Sequence, residues 1–186
     1  IKNLFKPKRK RVSTGNAFEA VKNVSFNVKK GDIVSLCLPN IPEAIYLFYA
    51  INKVGAVANM IHPMSAENEI VRFVQLTDSR LIFGVDLIGE KLERVQKKCT
   101  DLQVVTVSVS RSMPLAVKLG YSFSGKCPPK TSALDWSVFS AKSSIGREIS
   151  EHSSADETAA ILYSGGTTGR PKGIMLTNLN FNALAV

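Results

Sequence analysis

One stretch concentrates the residue types that hold an anion. Residues 161–177 read I-L-Y-S-G-G-T-T-G-R-P-K-G-I-M-L-T. An apolar run ending at Tyr163 gives way to a turn of Ser164, Gly165, Gly166, Thr167, Thr168 and Gly169. The chain then leaves through Arg170, Pro171 and Lys172 into a second apolar run, residues 173–176. Glycines let peptide N–H groups approach an anion closely, because no Cβ stands in the way. The hydroxyls of Ser164, Thr167 and Thr168 add donors, and Lys172 adds a charge that answers phosphate oxygens. The spacing differs from the G-x-x-x-x-G-K-[ST] loop of nucleotide hydrolases. Here Pro171 and a second residue separate Gly169 from Lys172, and a strand-like run follows in place of a helix. A formal match to that other pattern, at Gly120 and Gly125-Lys126, ends in Cys127 and two prolines, which argue against the helix it needs.

The elements that must carry this loop are legible upstream. Residues 32–38 form an apolar run between Gly31 and Pro39 and predict a buried strand. Asn40 is placed to cap a helix with Pro42 in its first turn, running to Val54 before Gly55 stops it. Ala44, Ile45, Leu47, Phe48, Ile51 and Val54 would form its apolar face, leaving Glu43, Asn52 and Lys53 nearer solvent. Residues 56–61 predict the next strand, and strand, helix, strand implies a parallel crossover. A second helix begins at a Ser65 cap with Glu67 and Glu69 in its first turn, and presents Ile70, Phe73, Val74 and Thr77 on one side. Residues 80–84 predict a strand. Asp86 opens a helix carrying Leu87, Ile88, Leu92 and Val95 and ending at Lys97 and Lys98, and residues 102–109 predict a further strand. The alternation specifies an α/β fold with a mostly parallel sheet flanked by helices.

The flanks are less regular. Residues 24–28 read slightly better as a strand than as a helix. Residues 110–154 are serine-rich and interrupted by Pro114, Pro128 and Pro129. They read as a long surface connection with a short helix near 134–139, ahead of a lid, a membrane-touching insertion or the wall of an acyl tunnel. Past the acidic pair Asp156-Glu157, Thr177 or Asn178 is placed to cap a last helix. His62, after the second strand, stands where ligands bind in open parallel sheets, but a satisfied loop histidine is commoner there. His152 lies in the serine-rich connection. No acid–base pair or catalytic triad can be assembled from the spacing, and Ser164 lacks the G-x-S-x-G elbow of a hydrolase nucleophile.

Composition bounds the rest. Of 186 residues 45% are hydrophobic, and mean hydropathy is +0.06, a globular balance with no run near the roughly 20 apolar residues of a membrane span. Cys37, Cys99 and Cys127 are odd in number and lack metal-ligand spacing, which fits a reducing compartment such as the cytoplasm. Of the net charge of +9, much comes from the run K-P-K-R-K-R at residues 6–11. It reads as a solvated loop ahead of a nucleic-acid arm, a nuclear signal or a membrane-surface contact. No aromatic residues interleave with it, and no nucleic-acid motif accompanies it.

The string Y-S-G-G-T-T-G-R-P-K-G resembles the phosphate-loop signature of the adenylate-forming enzymes, which include acyl-CoA synthetases, luciferases and the adenylation domains of peptide synthetases. The segments at residues 31–45, 53–57, 62–70 and 78–83 resemble that family's N-terminal region in its order, so the likeness covers roughly two thirds of the chain. It implies a partial N-terminal AMP-binding domain over 1–186. Residues 30–109 would be its strand and helix core, 110–154 a variable connection, and 155–186 the phosphate loop and following helix, with the C-terminal domain absent. It implies an ATP-dependent, AMP-forming carboxylate ligase of the acyl-CoA synthetase type, with ATP, magnesium and coenzyme A, and a small carboxylate as substrate. Ser164, Gly165, Gly166, Thr167, Thr168, Gly169 and Lys172 would hold the ATP phosphates. No catalytic residue and no metal ligand is assigned within the chain, because the family's adenine-binding segment, ribose-binding aspartate, hinge and catalytic lysine fall later. The chain alone is expected to be inactive. A domain that loads a carrier protein and a non-catalytic nucleotide-binding module are the alternatives. Three positions depart from the family pattern: Gly165 where serine is commoner, Arg170 where a small or apolar residue is frequent, and Asn178 where histidine is frequent.

Overall fold

The computed structural model describes residues 27–123, 128, 131–141, 154–165 and 171–183. The basic run at 6–11, the strand expected at 24–28 up to residue 26, His152, and Gly166 to Arg170 lie outside them.

Among the described residues seven strands make one sheet. In chain order the elements are β1 (Ile33–Cys37), α1 (Pro42–Lys53), β2 (Val57–Met60), α2 (Glu67–Leu76), β3 (Leu81–Val85), a 3-10 turn (Asp86–Ile88), α3 (Gly89–Lys98), β4 (Gln103–Val107) and a second 3-10 turn (Val109–Ser112). α4 (Leu115–Phe123), β5 (Leu134–Asp135), α5 (Trp136–Ala141), β6 (Thr158–Ser164), β7 (Lys172–Thr177) and α6 (Asn178–Ala183) follow. The sheet order is β5-β4-β3-β1-β2-β6-β7. Every pairing is parallel except the last, where β7 runs antiparallel to β6. This is the α/β architecture with a mostly parallel sheet that the sequence specifies.

Strand alternation splits the core into two layers, one on each side of the sheet. On one side Val34, Leu36, Ala58, Phe83, Val105 and Ala160 pack with Leu47 and Ile51 of α1. On the other, Ile82 and Val104 pack with Ile70, Phe73 and Val74 of α2 and with Leu92 and Val95 of α3. Because both faces are covered, β3 is buried along its whole length, which is why it reads as an unbroken apolar run. Gly84 sits in that strand because Leu92 lies directly over it: a Cβ there would stand 2.2 Å from Leu92 Cδ1. Leu92 is fully buried and has no free direction to move. Gly84→Ala is therefore expected to destabilise the fold by about 1–3 kcal/mol through overpacking, a loss that urea unfolding would register as a lower midpoint at unchanged slope.

Helix ends and helix faces depart from expectation at several residues. Pro42 is at the start of α1, but Ile41 is the cap residue and Asn40 contributes no side-chain cap bond. Gly55, at φ +72, ends the helix as expected. Glu43, expected near solvent, is 5% exposed. Both its carboxylate oxygens accept from Ser112 Oγ at 2.9 Å, and Arg111 Nε lies 4.0 Å away. Ile45, expected on the apolar face, is exposed instead, because α1 turns only its Leu47 and Ile51 side fully into the core. The cap of α2 is Ala66 and not Ser65; the Glu69 carboxylate reaches back to accept from the Ala66 N–H at 2.9 Å, half of a capping box. Leu87 lies exposed in the 3-10 turn that precedes α3, while Leu92 and Val95 are fully buried. In the connection, α5 overlaps the short helix expected at 134–139, and α4 forms where only a surface connection is expected. Gly120 falls inside α4 and not in a nucleotide loop.

Candidate functional site

The glycine-rich stretch joins the two antiparallel strands at the end of the sheet. Ser164 and Lys172 are paired across the mouth of the hairpin, followed by Tyr163 with Gly173 and Leu162 with Ile174. β6 itself lies parallel to β2, with Ala58, Asn59 and Met60 opposite Ala160, Ile161 and Leu162. The loop consequently leaves the carboxyl edge of the parallel strands, the edge at which open α/β sheets bind ligands. Ser164, Gly165 and Lys172 are exposed, and Pro171 is half-buried. A Cβ built on Gly165 meets nothing within 4 Å, so open space lies over the first glycine. Of the other expected site residues, Gly166, Thr167, Thr168 and Gly169 fall outside the described residues.

Below the mouth the hairpin is anchored. Thr177 caps α6 reciprocally with Asn180: Asn180 Oδ1 accepts from the Thr177 N–H at 2.8 Å, and Thr177 Oγ1 accepts from the Asn180 N–H at 3.3 Å. The choice left open between Thr177 and Asn178 thus falls on Thr177. Asn178 donates from Nδ2 to the Ser154 carbonyl at 3.0 Å, tying the segment before β6 to the start of α6. Phe181 of α6 packs its ring 5.2 Å from that of Phe48 in α1.

The residues that brace the loop from inside were not singled out by the sequence. The Tyr163 hydroxyl donates to Asn59 Oδ1 at 2.8 Å, and the Tyr163 ring stacks on Phe73 of α2 with centroids 3.6 Å apart. Asn59 is fully buried; its Nδ2 donates to Ser35 Oγ at 2.9 Å and to Thr77 Oγ1 at 3.2 Å. Ser35 Oγ passes its hydrogen to Ser79 Oγ, Ser79 Oγ to the Leu81 carbonyl, and Thr77 Oγ1 to the Phe73 carbonyl. Each member of this buried chain has a partner, as groups away from water require. Burial raises the Tyr163 phenol above its ordinary value, with the Asn59 bond opposing. A polar serine and asparagine opposite each other in otherwise apolar β1 and β2 were the available signal.

His62 is exposed and its Nδ1 accepts from the Met64 N–H at 3.2 Å, the locally satisfied loop histidine that the sequence favoured. Lys91 of α3 donates to the Pro63 and Ser65 carbonyls at 3.2 and 3.0 Å and so pins the same loop. Cys37 is a buried core thiol. Burial pushes its pKa from 9.0 up to about 12, partly offset by the charge of Lys91. The folded value lies above the unfolded one, so the protonated thiol's contribution to stability is complete below about pH 9 and is lost as pH rises towards 12. At pH 8 Cys37 is expected to resist a disulfide reagent in the folded chain and to be labelled only at the rate of unfolding. Rapid labelling at the rate of a free thiol would contradict that burial.

A recess of about 190 Å³ opens beside α4 and α5, lined by Ser108, Arg111, Lys118, Asp135 and Trp136. Ligand pockets usually hold about 300–1,000 Å³ and are mostly apolar, so this recess suits no acyl tunnel. Among the described residues no group of three or more metal-ligating side chains is gathered, and no helix is long and apolar enough to cross a membrane.

The molecule is thus an α/β domain with helices on both faces of its sheet and a glycine-rich hairpin at the carboxyl edge. It belongs to the AMP-binding enzyme family, whose family model matches residues 23–186. The chain is 27% identical over 187 aligned residues to the acetyl-coenzyme A synthetase of Penicillium chrysogenum, covering 92% of this chain and 26% of that protein. It is 29% identical to 4-coumarate–CoA ligase 1 of Arabidopsis thaliana, covering 81% of this chain and 25% of that protein. The solved structure of ATP-bound MatB from Rhodopseudomonas palustris superposes with a TM-score of 0.58 at 21% identity, over 85% of this chain and 27% of that one. The chain therefore spans about a quarter of the length of the proteins it matches.

Proposed function

We propose that this chain supplies the phosphate-holding part of an ATP-dependent, AMP-forming acid–thiol ligase. It corresponds to a part of the N-terminal domain, with the activity belonging to a longer protein. In that reaction a carboxylate attacks the α-phosphorus of magnesium-ATP, pyrophosphate leaves, and the acyl-adenylate passes its acyl group to a thiol such as coenzyme A. The chain's own part is to hold the outgoing pyrophosphate. Ser164, Gly165, Gly166, Thr167, Thr168 and Gly169 would offer hydroxyls and peptide N–H groups, and Lys172 a cation, to the β and γ phosphates. Aiming fixed donors at charge as it accumulates is the largest single contribution that such a site makes. The observation that carries the reading is the pairing of Ser164 with Lys172 across the hairpin mouth, which brings the loop's two ends together at the carboxyl edge with open space over Gly165.

Family membership supports the reaction class, and relatives named as an acetyl-coenzyme A synthetase and a 4-coumarate–CoA ligase support an acid–thiol ligase. The test is calorimetric titration of the 186-residue chain with magnesium-ATP and with pyrophosphate. Binding of both supports the reading, and absence of both overturns it. A screen of pyrophosphate exchange over carboxylates, in a protein that joins this chain to the remaining domains, then distinguishes a ligase from a non-catalytic nucleotide-binding module. Transfer to coenzyme A or to a carrier protein would separate the two kinds of ligase.

A further inference from the structure

We propose that Tyr163 is the positioning residue of the phosphate loop, one aromatic ring holding both of the loop's ends in a fixed relation. The clamp is inferred from packing and hydrogen bonding; only the identity of what the loop binds rests on the function proposed above.

Tyr163 is the penultimate residue of β6, so it stands immediately before Ser164 and the first glycine. Its cross-strand partner is Gly173, the second residue of β7. A Cβ on Gly173 would stand 3.4 Å from Tyr163 Cε1 and 3.3 Å from Ile161 Cγ2. The backbone that leaves the loop is therefore laid against the ring of the residue that enters it. That ring has little freedom of its own: Phe73 stacks on it with 18° between the planes, and the hydroxyl is fastened to Asn59 at 2.8 Å. Asn59 is fixed in turn by Ser35 and Thr77, on β1 and at the end of α2. Packing against Phe73 and Gly173 needs only a phenyl ring. The hydroxyl adds a directional bond to a buried amide and thereby sets the ring's position along the sheet, which apolar contact alone leaves free. Ser164 and Lys172 are the next ladder pair beyond Tyr163 and Gly173, so the clamp acts one residue from the proposed phosphate contacts.

Tyr163→Phe isolates the hydroxyl because it keeps the ring. Ser79→Ala serves as the control, since Ser79 ends the same buried chain and touches neither end of the loop. The first readout is amide hydrogen exchange at Gly165 and Gly173 in the nucleotide-free 186-residue chain, which reports local opening; the second is affinity for pyrophosphate. Tyr163→Phe is expected to speed exchange at both glycines by roughly tenfold and to weaken pyrophosphate binding several-fold, whereas Ser79→Ala lowers thermal stability and leaves both readouts at the wild-type value. Unchanged exchange in Tyr163→Phe, or an equal rise in Ser79→Ala, would overturn the clamp. If the wild-type chain binds no pyrophosphate yet the exchange pattern is as expected, the clamp stands and the nucleotide-binding reading fails.

Discussion

Lys172→Ala is expected to weaken the affinity for magnesium-ATP and for pyrophosphate by about a hundredfold while leaving the folded state almost untouched. The two halves of that expectation have separate causes. Lys172 is exposed at the first position of β7, and surface truncations away from special features shift stability by only about 0.5 kcal/mol. It stands, however, across the hairpin mouth from Ser164, where it would make charge-assisted bonds to phosphate oxygens, which are roughly twice as strong as neutral ones. Removing one preorganised donor of this kind from a reacting centre costs about 10²–10³ in rate, so pyrophosphate exchange in the joined protein should fall by a similar factor. Lys172→Arg should recover part of the loss, because the charge persists while the point-like ammonium geometry does not. Thr167→Ala is expected to act in the same direction with a smaller effect. Titration calorimetry alongside a thermal melt decides the matter: unchanged affinity, or a loss matched by unfolding, removes Lys172 from the site.

The largest effect on stability is expected from Asn59→Leu. Leucine keeps the branched skeleton of asparagine, though it is bulkier, and suits an apolar strand, yet it strands the Tyr163 hydroxyl and withdraws the donor from Ser35 and Thr77. Leaving the Tyr163 hydroxyl without its acceptor costs about 1–3 kcal/mol, while Ser35 and Thr77 lose one donor each and keep their bonds to Ser79 and to the Phe73 carbonyl. With the crowding of the bulkier side chain added and the offset from a better hydrophobe subtracted, a net loss of about 2–4 kcal/mol is expected, or roughly 5–15 °C in melting temperature for a chain of this length. Combining Asn59→Leu with Tyr163→Phe should give less than the sum of the two, since both break the same bond. A loss under about 1 kcal/mol for Asn59→Leu would mean that the hydroxyls re-pair with one another, and that the chain of bonds contributes little to folding.

How far the sequence reveals this molecule depends on the distance between the groups that interact. The run from β1 to β4 was readable because strand burial, helix periodicity and stop residues are local: Gly55 ends α1, and the unbroken apolar run of β3 follows from having a helix on either face. The glycine-rich hairpin was readable as a motif for the same reason. Glu43 was misplaced because the group that satisfies it, Ser112, lies 69 residues away. α4 was missed because Pro114 looked like an interruption; it stands just before the helix and its carbonyl accepts from the Lys118 N–H, a position where proline starts a helix instead of breaking it. The bond from Tyr163 to Asn59 spans 104 residues, so no window of sequence contains both of its ends.

The position of β6 has a further consequence, for the order in which the chain assembles. β1 to β4 can pair through short crossovers, and β6 pairs with β7, its neighbour in sequence. The join between β2 and β6 brings Ala58 to Ala160 and must close the longest loop of the sheet. Closing distant contacts is the slow part of folding. During synthesis, with the amino end emerging first, the first four strands have their partners well before β6 is made. Within this sheet the glycine-rich hairpin and Asn59 would meet after the first four strands have paired, and until then β2 presents an open edge.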